Sequence, residues 1–219
     1  MHYKTLINNG LDVNAIKLVV TDMLPAYNEV IASMFPLALH QYCVFHFMQL
    51  VNKHFKEALK IHRYKHFKEG ARKEAHKIAL LMLKAQEKLS SEECEIVLAF
   101  CEQHPDVLAD YAMKEDIRTL YAQAKNEVQA VAYKDIILES YQNIISKTMQ
   151  NTINLINTSF EKTISYLKVG ILHAKTNNDA ERIMRKIERN QKTHYFFRTE
   201  DSLIRHLRIR LGIDTIFAP

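Results

Sequence analysis

Chemistry in this chain is to be sought first at an acid and at a Cys-x-x-His. The acid closes an apolar run, Ile16-Lys17-Leu18-Val19-Val20-Thr21-Asp22, and the pair follows as Cys43-Val44-Phe45-His46. An acid at the carboxyl end of a buried strand emerges into a crevice rather than the core, which is where open α/β sheets put their chemistry. That position sets Asp22 apart from the other acids, although one such carboxylate does not hold a catalytic metal alone. Capping the helix that starts near Leu24 is the plainer role for it. Cys43 and His46 invite a zinc reading, but structural zinc takes four ligands, normally with a second matched pair. Cys94 and Cys101 lie seven apart in a helical stretch, and His40, His54 and the other histidines are scattered. Zinc is therefore not expected. Cys43 is expected as a strand-end core thiol, as free Cys often is, with His46 near the crevice. There is no Gly-rich phosphate loop, nucleophile elbow or Ser/His/Asp order.

The elements that must position these residues follow from pattern. His2 to Asn8 is expected as a short helix stopped by the cap pair Asn9-Gly10. Ile16 to Thr21 is rich in β-branched residues and bounded by polar segments, as a buried strand is. Pro25 suits the first turn of a helix running to about Met34, Pro36 ends it, and Leu37 to Tyr42 gives a second strand. That order is a βαβ unit with parallel strands. From Val44 onward the pattern turns helical, with Phe47, Met48, Val51, Phe55 and Leu59 on one face. Further helices are expected over 72–88, 91–103, 106–125, 126–150 and 152–168. Ser90-Ser91-Glu92-Glu93 supplies N-cap chemistry for one, and Pro105 sits near the start of another. Thr176-Asn177-Asn178-Asp179 opens a later helix, with Ala180, Ile183, Met184 and Ile187 on an apolar face and Glu181, Arg185, Glu188 and Lys192 on another. Glu200 to Leu211 is expected as the last helix.

In this order of motifs the chain resembles the Mutator-type branch of bacterial insertion-sequence transposases. The family pattern has an apolar strand, a Ser/Thr-Asp, a helix, an aromatic-Pro step and a Cys-x-x-His followed by an aromatic and Met. Here those positions read Val20-Thr21-Asp22, Phe35-Pro36 and Cys43-Val44-Phe45-His46-Phe47-Met48. The family's Thr-Asn-x-x-Glu-Arg helix is matched by Thr176-Asn177-Asn178-Asp179-Ala180-Glu181-Arg182. A downstream Phe, short polar stretch and Ser recur as Phe197-Arg198-Thr199-Glu200-Asp201-Ser202. The resemblance covers about 1–60 and 170–212.

What the resemblance implies is an α/β, strongly α-rich fold: a partial ribonuclease-H-like core with a large helical insertion. The core would comprise 1–60, the insertion 61–170, and 171–219 would add C-terminal basic helices completing it. The family's catalytic DDE triad, Asp-Asp-Glu, holds two Mg²⁺ (or Mn²⁺) ions, and Asp22 and Glu181 match its second and third members. Hard cations favour such carboxylate oxygens beside substrate phosphate oxygens. The plainer role for Glu181 is an i, i+4 pair with Arg185, worth a few tenths of a kcal/mol. The family's first Asp lies well upstream of the equivalent of Asp22, and Asp12, in a loop after a Gly-terminated helix, is no substitute. The first acid, the first three strands and the site-recognition domain are thus expected outside this chain. The expectation is a C-terminal part of a transposase that does not cut DNA alone, and that forms homo-oligomers or pairs with a full-length transposase.

Bulk properties agree with an intracellular protein. The chain has 219 residues, 47% of them hydrophobic, enough for one good core. Four Gly and four Pro favour helices over a turn-rich β architecture, and three Cys without framework spacing favour free thiols. No run suits a membrane span and no signal-peptide pattern opens the chain, so a cytoplasmic, nucleoid-associated location is expected. The net charge is +5, and Lys175 to Arg210 holds ten Lys/Arg against five Asp/Glu, so the whole excess sits there. Arg182, Arg185, Arg189, Lys192, Arg205 and Arg208 suit DNA backbone phosphates; a solvated helix face is the bland alternative. His194-Tyr195-Phe196-Phe197 would offer a stacking surface for bases, although such a run more often simply packs. The competing function is a non-catalytic helical DNA-binding or regulatory protein.

Overall fold

The computed structural model describes residues 10–178 together with Glu181, Arg182 and Arg185. Two strands, β1 (Leu18–Thr21) and β2 (Leu39–Tyr42), pair in parallel with Leu18 opposite Leu39 and Thr21 opposite Tyr42. The crossover is α1 (Ala26–Met34), with Pro25 ahead of its first residue and Phe35 N–H closing its end on the Ile31 carbonyl. This is the βαβ unit expected from the sequence. Asp12 accepts from Asn14 N–H at 2.9 Å and caps a 3₁₀ turn at Val13–Ala15. Gly10 adopts φ 93°, a conformation its missing Cβ permits.

The rest of the described chain is helical. Helix α2 (Val44–His66) leads directly out of β2 and buries Val44, Phe47, Val51, Phe55, Ala58, Leu59 and His62 on one face. It packs against α3 (Arg72–Leu83), α5 (Pro105–Gln123) and α7 (Gln150–Thr163), while α4 (Ser91–Gln103) bridges α3 and α5. Helix α6 (Glu127–Tyr141) lies on α5, and the single turn α8 (Ser165–Lys168) returns to β2. One hydrophobic cluster runs from Val44 to Leu167. Phe47, Phe55, Met82 and Met113 are completely enclosed in it, each contributing about 1.5–3 kcal/mol of transfer free energy. The result is an α-rich α/β fold. Among the described residues no helix is long and apolar enough to cross a membrane.

Three helices end earlier than periodicity predicts, and in each case a buried polar group from elsewhere takes up freed backbone atoms. Helix α3 stops at Leu83, not near 88, because the enclosed Lys114 ammonium donates to the Met82 and Lys84 carbonyls at 2.5 and 3.0 Å. Helix α6 stops at Tyr141, not near 150, and the turn that follows is held by Asp110, which accepts from Ser146 N–H at 2.8 Å. The expected 152–168 helix is split at Ile164. There the fully buried Gln41 amide donates to the Thr163 carbonyl at 2.7 Å and accepts from Tyr166 N–H at 2.9 Å. The Ser90 capping box on α4 is formed in both directions with Glu93, as its sequence predicts. The helices expected at 2–8 and 200–211 lie outside the described residues.

Candidate catalytic site at the strand ends

Parallel pairing brings the carboxyl ends of β1 and β2 to one edge. The ladder continues one bond further, from Cys43 N–H to the Thr21 carbonyl at 2.8 Å, so Asp22 and Cys43 leave the sheet together. Asp22 is half-buried, and its Oδ1 accepts from Leu24 N–H at 3.4 Å, a turn ahead of α1 rather than the helix cap weighed from the sequence, since Pro25 takes the cap position without a side-chain bond. Cys43 is fully buried and precedes the first residue of α2, accepting from Phe47 N–H at 3.0 Å. It is the core thiol expected. Thr21 Oγ1 donates to the Asp22 carbonyl at 2.8 Å and meets His40 Nε2 at 2.7 Å, fixing the backbone beneath the acid.

His46 sits one turn into α2. Its Nε2 lies 3.8 Å from Glu181 Oε1, and both side chains are just under a third exposed. Its Nδ1 is enclosed and has no partner among the described residues. Glu181 N–H donates to the Asn177 carbonyl at 3.1 Å, the hydrogen bond of a helical first turn, and Asn178, Glu181, Arg182 and Arg185 are helical. Local start signals therefore place Glu181, and the tertiary fold carries it to the Cys-x-x-His. Its other oxygen accepts from Arg185 at 3.1 Å, the i, i+4 pair also foreseen. Asn177 Oδ1 is a second enclosed polar atom without a partner among the described residues.

The carboxylates of Asp22 and Glu181 are hard oxygen donors, the chemistry that Mg²⁺ or Mn²⁺ takes. His46, whose Nε2 meets Glu181, and Asn177, whose carbonyl accepts from Glu181 N–H, each keep an enclosed polar atom without a partner among the described residues (Nδ1 and Oδ1), so the donor chemistry of these residues fits a hydrated divalent ion. Among the described residues, the one group of three or more potential ligand atoms is elsewhere, at His62, His66 and Asp106. Cys101 is buried, and burial pushes its thiol up to about 11. Arg182 and Arg185 are exposed, while Arg189, Lys192, Arg205 and Arg208 lie outside the described residues, as does the aromatic run at 194–197. Sequence reasoning passed over Lys162, whose ammonium donates to Asn28 Oδ1 at 2.7 Å and lies 5.1 Å from the Tyr42 ring. No local pattern marks it, because it reaches the strand ends from a helix late in the chain.

A family model described as Transposase, of the ISL3 type of DDE transposases, matches residues 4–207. The chain belongs to this transposase family. No curated protein and no solved structure matches it. The function class of this transposase chain is therefore DNA transposition, with DNA as partner and a divalent metal in the family's chemistry. At the level of insertion-sequence transposase, the motif resemblance and the family match coincide. The Mutator-type branch is a narrower statement, and the family matched is the ISL3 type.

Proposed function

We propose that this chain supplies two carboxylates, Asp22 and Glu181, to a Mg²⁺- or Mn²⁺-dependent centre that cleaves and joins DNA strands at transposon ends. The observation that carries the reading is the contact between Glu181 and His46. A remote acid stands against the helix that issues from β2, the strand paired with that of Asp22. Divalent ions at such a centre activate the attacking oxygen and stabilise the leaving one in in-line phosphoryl transfer. Asp22 and Glu181 would supply the carboxylates that hold them. His46 is a positioning residue that fixes one Glu181 oxygen, and Cys43 packs the start of its helix. Arg182 and Arg185, with Arg189, Lys192, Arg205 and Arg208 beyond them, contact backbone phosphates in a salt-dependent, sequence-tolerant way.

The roles follow the Mutator-type motif order, and β1, α1 and β2 then belong to a ribonuclease-H-like core (1–60) that a helical insertion (61–170) separates from 171–219. All four residues of β1 are only half-buried, whereas parallel strands are normally covered on both faces. A further strand beside β1, carrying the remaining acid, would complete both sheet and triad. On this reading the chain works in the cytoplasm at the nucleoid, as an oligomer or paired with a full-length transposase, and does not cut DNA alone. A non-catalytic regulatory role is the second reading, favoured by the local partners that both acids already have in Leu24 N–H and Arg185.

Isothermal titration with Mg²⁺ and Mn²⁺ separates the two. In the first, Asp22→Ala and Glu181→Ala each abolish one and the same binding event. Mg²⁺ binding left intact by both substitutions would sink the shared pocket and favour the regulatory role.

A further inference from the structure

A second group of potential ligands lies away from the strand ends, where the last turns of α2 meet the start of α5. His62 and His66 are i, i+4 on α2, the helical spacing that presents two imidazoles to one ion. Their rings stack with centroids 4.4 Å apart. Asp106, second residue of α5, meets His62 Nδ1 through Oδ2 at 2.9 Å. One potential ligand atom from each of His62, His66 and Asp106 lies within 4.8 Å of the others. The His104 ring stands 4.7 Å from that of His62 and 6.3 Å from that of His66.

Burial makes this more than a surface coincidence. His62 is only 7% exposed, so its ring is held in place, and its Nδ1 faces the Asp106 carboxylate at 2.9 Å, the nitrogen that an ion shared with Asp106 would take. His66 and Asp106, by contrast, are exposed and keep rotamer freedom. Tetrahedral bonds to nitrogen and oxygen set ligand atoms roughly 3.4 Å apart, a spacing these two mobile side chains reach by small rotations about a fixed His62. His62, His66 and Asp106 also line a cavity of about 660 Å³ with Asp110 and Ser146, which leaves a coordination position open to water.

We propose that His62, His66 and Asp106 bind one zinc-class divalent ion, with His104 beside them as an outer partner, and that this ion clips the end of α2 to the start of α5. Two imidazoles with one carboxylate are a borderline donor set that suits Zn²⁺ or Co²⁺ and not Mg²⁺. The site is independent of Asp22 and Glu181.

The test is titration of the chelator-treated full chain with Zn²⁺ and with Co²⁺, followed by calorimetry, visible absorption and thermal unfolding. The expected result is saturable binding of about one ion per chain, a rise in melting temperature as binding to the folded state requires, and a tetrahedral Co²⁺ spectrum. Asp22→Ala and Glu181→Ala retain all three signals. His66→Ala, which alters an exposed side chain, and Asp106→Asn, which keeps a hydrogen-bonding oxygen beside the buried His62, each lose more than the roughly 10–100-fold in affinity that removal of an outer hydrogen-bond partner costs. Absence of saturable binding by the unaltered chain, or full affinity in either of those two variants, overturns the assignment.

Discussion

Gln41 and the acids it helps to place show what single residues decide. Its amide is fully enclosed, donating to the Thr163 carbonyl and accepting from Tyr166 N–H. A leucine of similar size would leave both groups buried and unsatisfied. Gln41→Leu is therefore expected to lower stability by about 3 kcal/mol, read as a shift in urea midpoint with the slope unchanged. Asp22 was legible because an apolar β-branched run announces the strand and the acid marks its end. Glu181 was legible as a helix-start residue and His46 as part of the Cys-x-x-His, but the contact between them was not, since nothing local links positions so far apart. His62 and His66 carry their i, i+4 spacing openly; what hid their cluster is that Asp106 and His104 arrive from another helix.

Element ends are where periodicity and structure part. The hydrophobic pattern gives the existence and faces of the helices well, because one stripe of each must reach the core. It does not see where they stop, because Lys114, Asp110 and Gln41 capture the freed backbone from a distance. Lys114 is the clearest instance. Its ammonium bonds two carbonyls at the end of α3, pairs with Glu115 Oε1 at 2.5 Å and lies 4.8 Å from the Tyr111 ring. Helix ends carry orphan carbonyls and partial negative charge, so a cation there answers both. Lys114→Met strands those carbonyls and removes one of the cations facing Glu115, the other being Arg118 at 3.2 Å. The expected cost is about 3 kcal/mol, with a larger loss of amide-exchange protection in α3 than in α7. Ser90 shows the opposite case: a capping box is wholly local, so its place was readable.

Across the whole molecule, acid sensitivity follows from its partly buried histidines. His40 is held below the ordinary value of 6.5 by burial and then by Lys162, and His54 by burial and then by Lys53. The unfolded chain thus binds more protons than the folded one between the two values. Their contribution to stability is fully present above 6.5 and is lost as pH falls through the folded values. Thermal or urea unfolding between pH 7.5 and 5 is expected to show declining stability over that window, and His40→Gln to flatten part of the decline. No change of slope in that variant would exclude His40 as a source.

The α-rich architecture and the parallel βαβ unit were legible in the sequence; the joining of sheet and helices was not, because it passes through Gln41 and Ser165, which donates to the His40 carbonyl at 3.1 Å. Both anchors act on β2. The strand leading to Asp22 thus leans on its neighbour: drift of α7 and α8 is transmitted to Tyr42, Cys43 and His46, and reaches Asp22 through the ladder, the Thr21–His40 contact and the packing of Leu18 and Met23 on the core. Changes far along the chain would then alter the spacing of the two acids without touching either, which makes the helical part a lever on the strand ends.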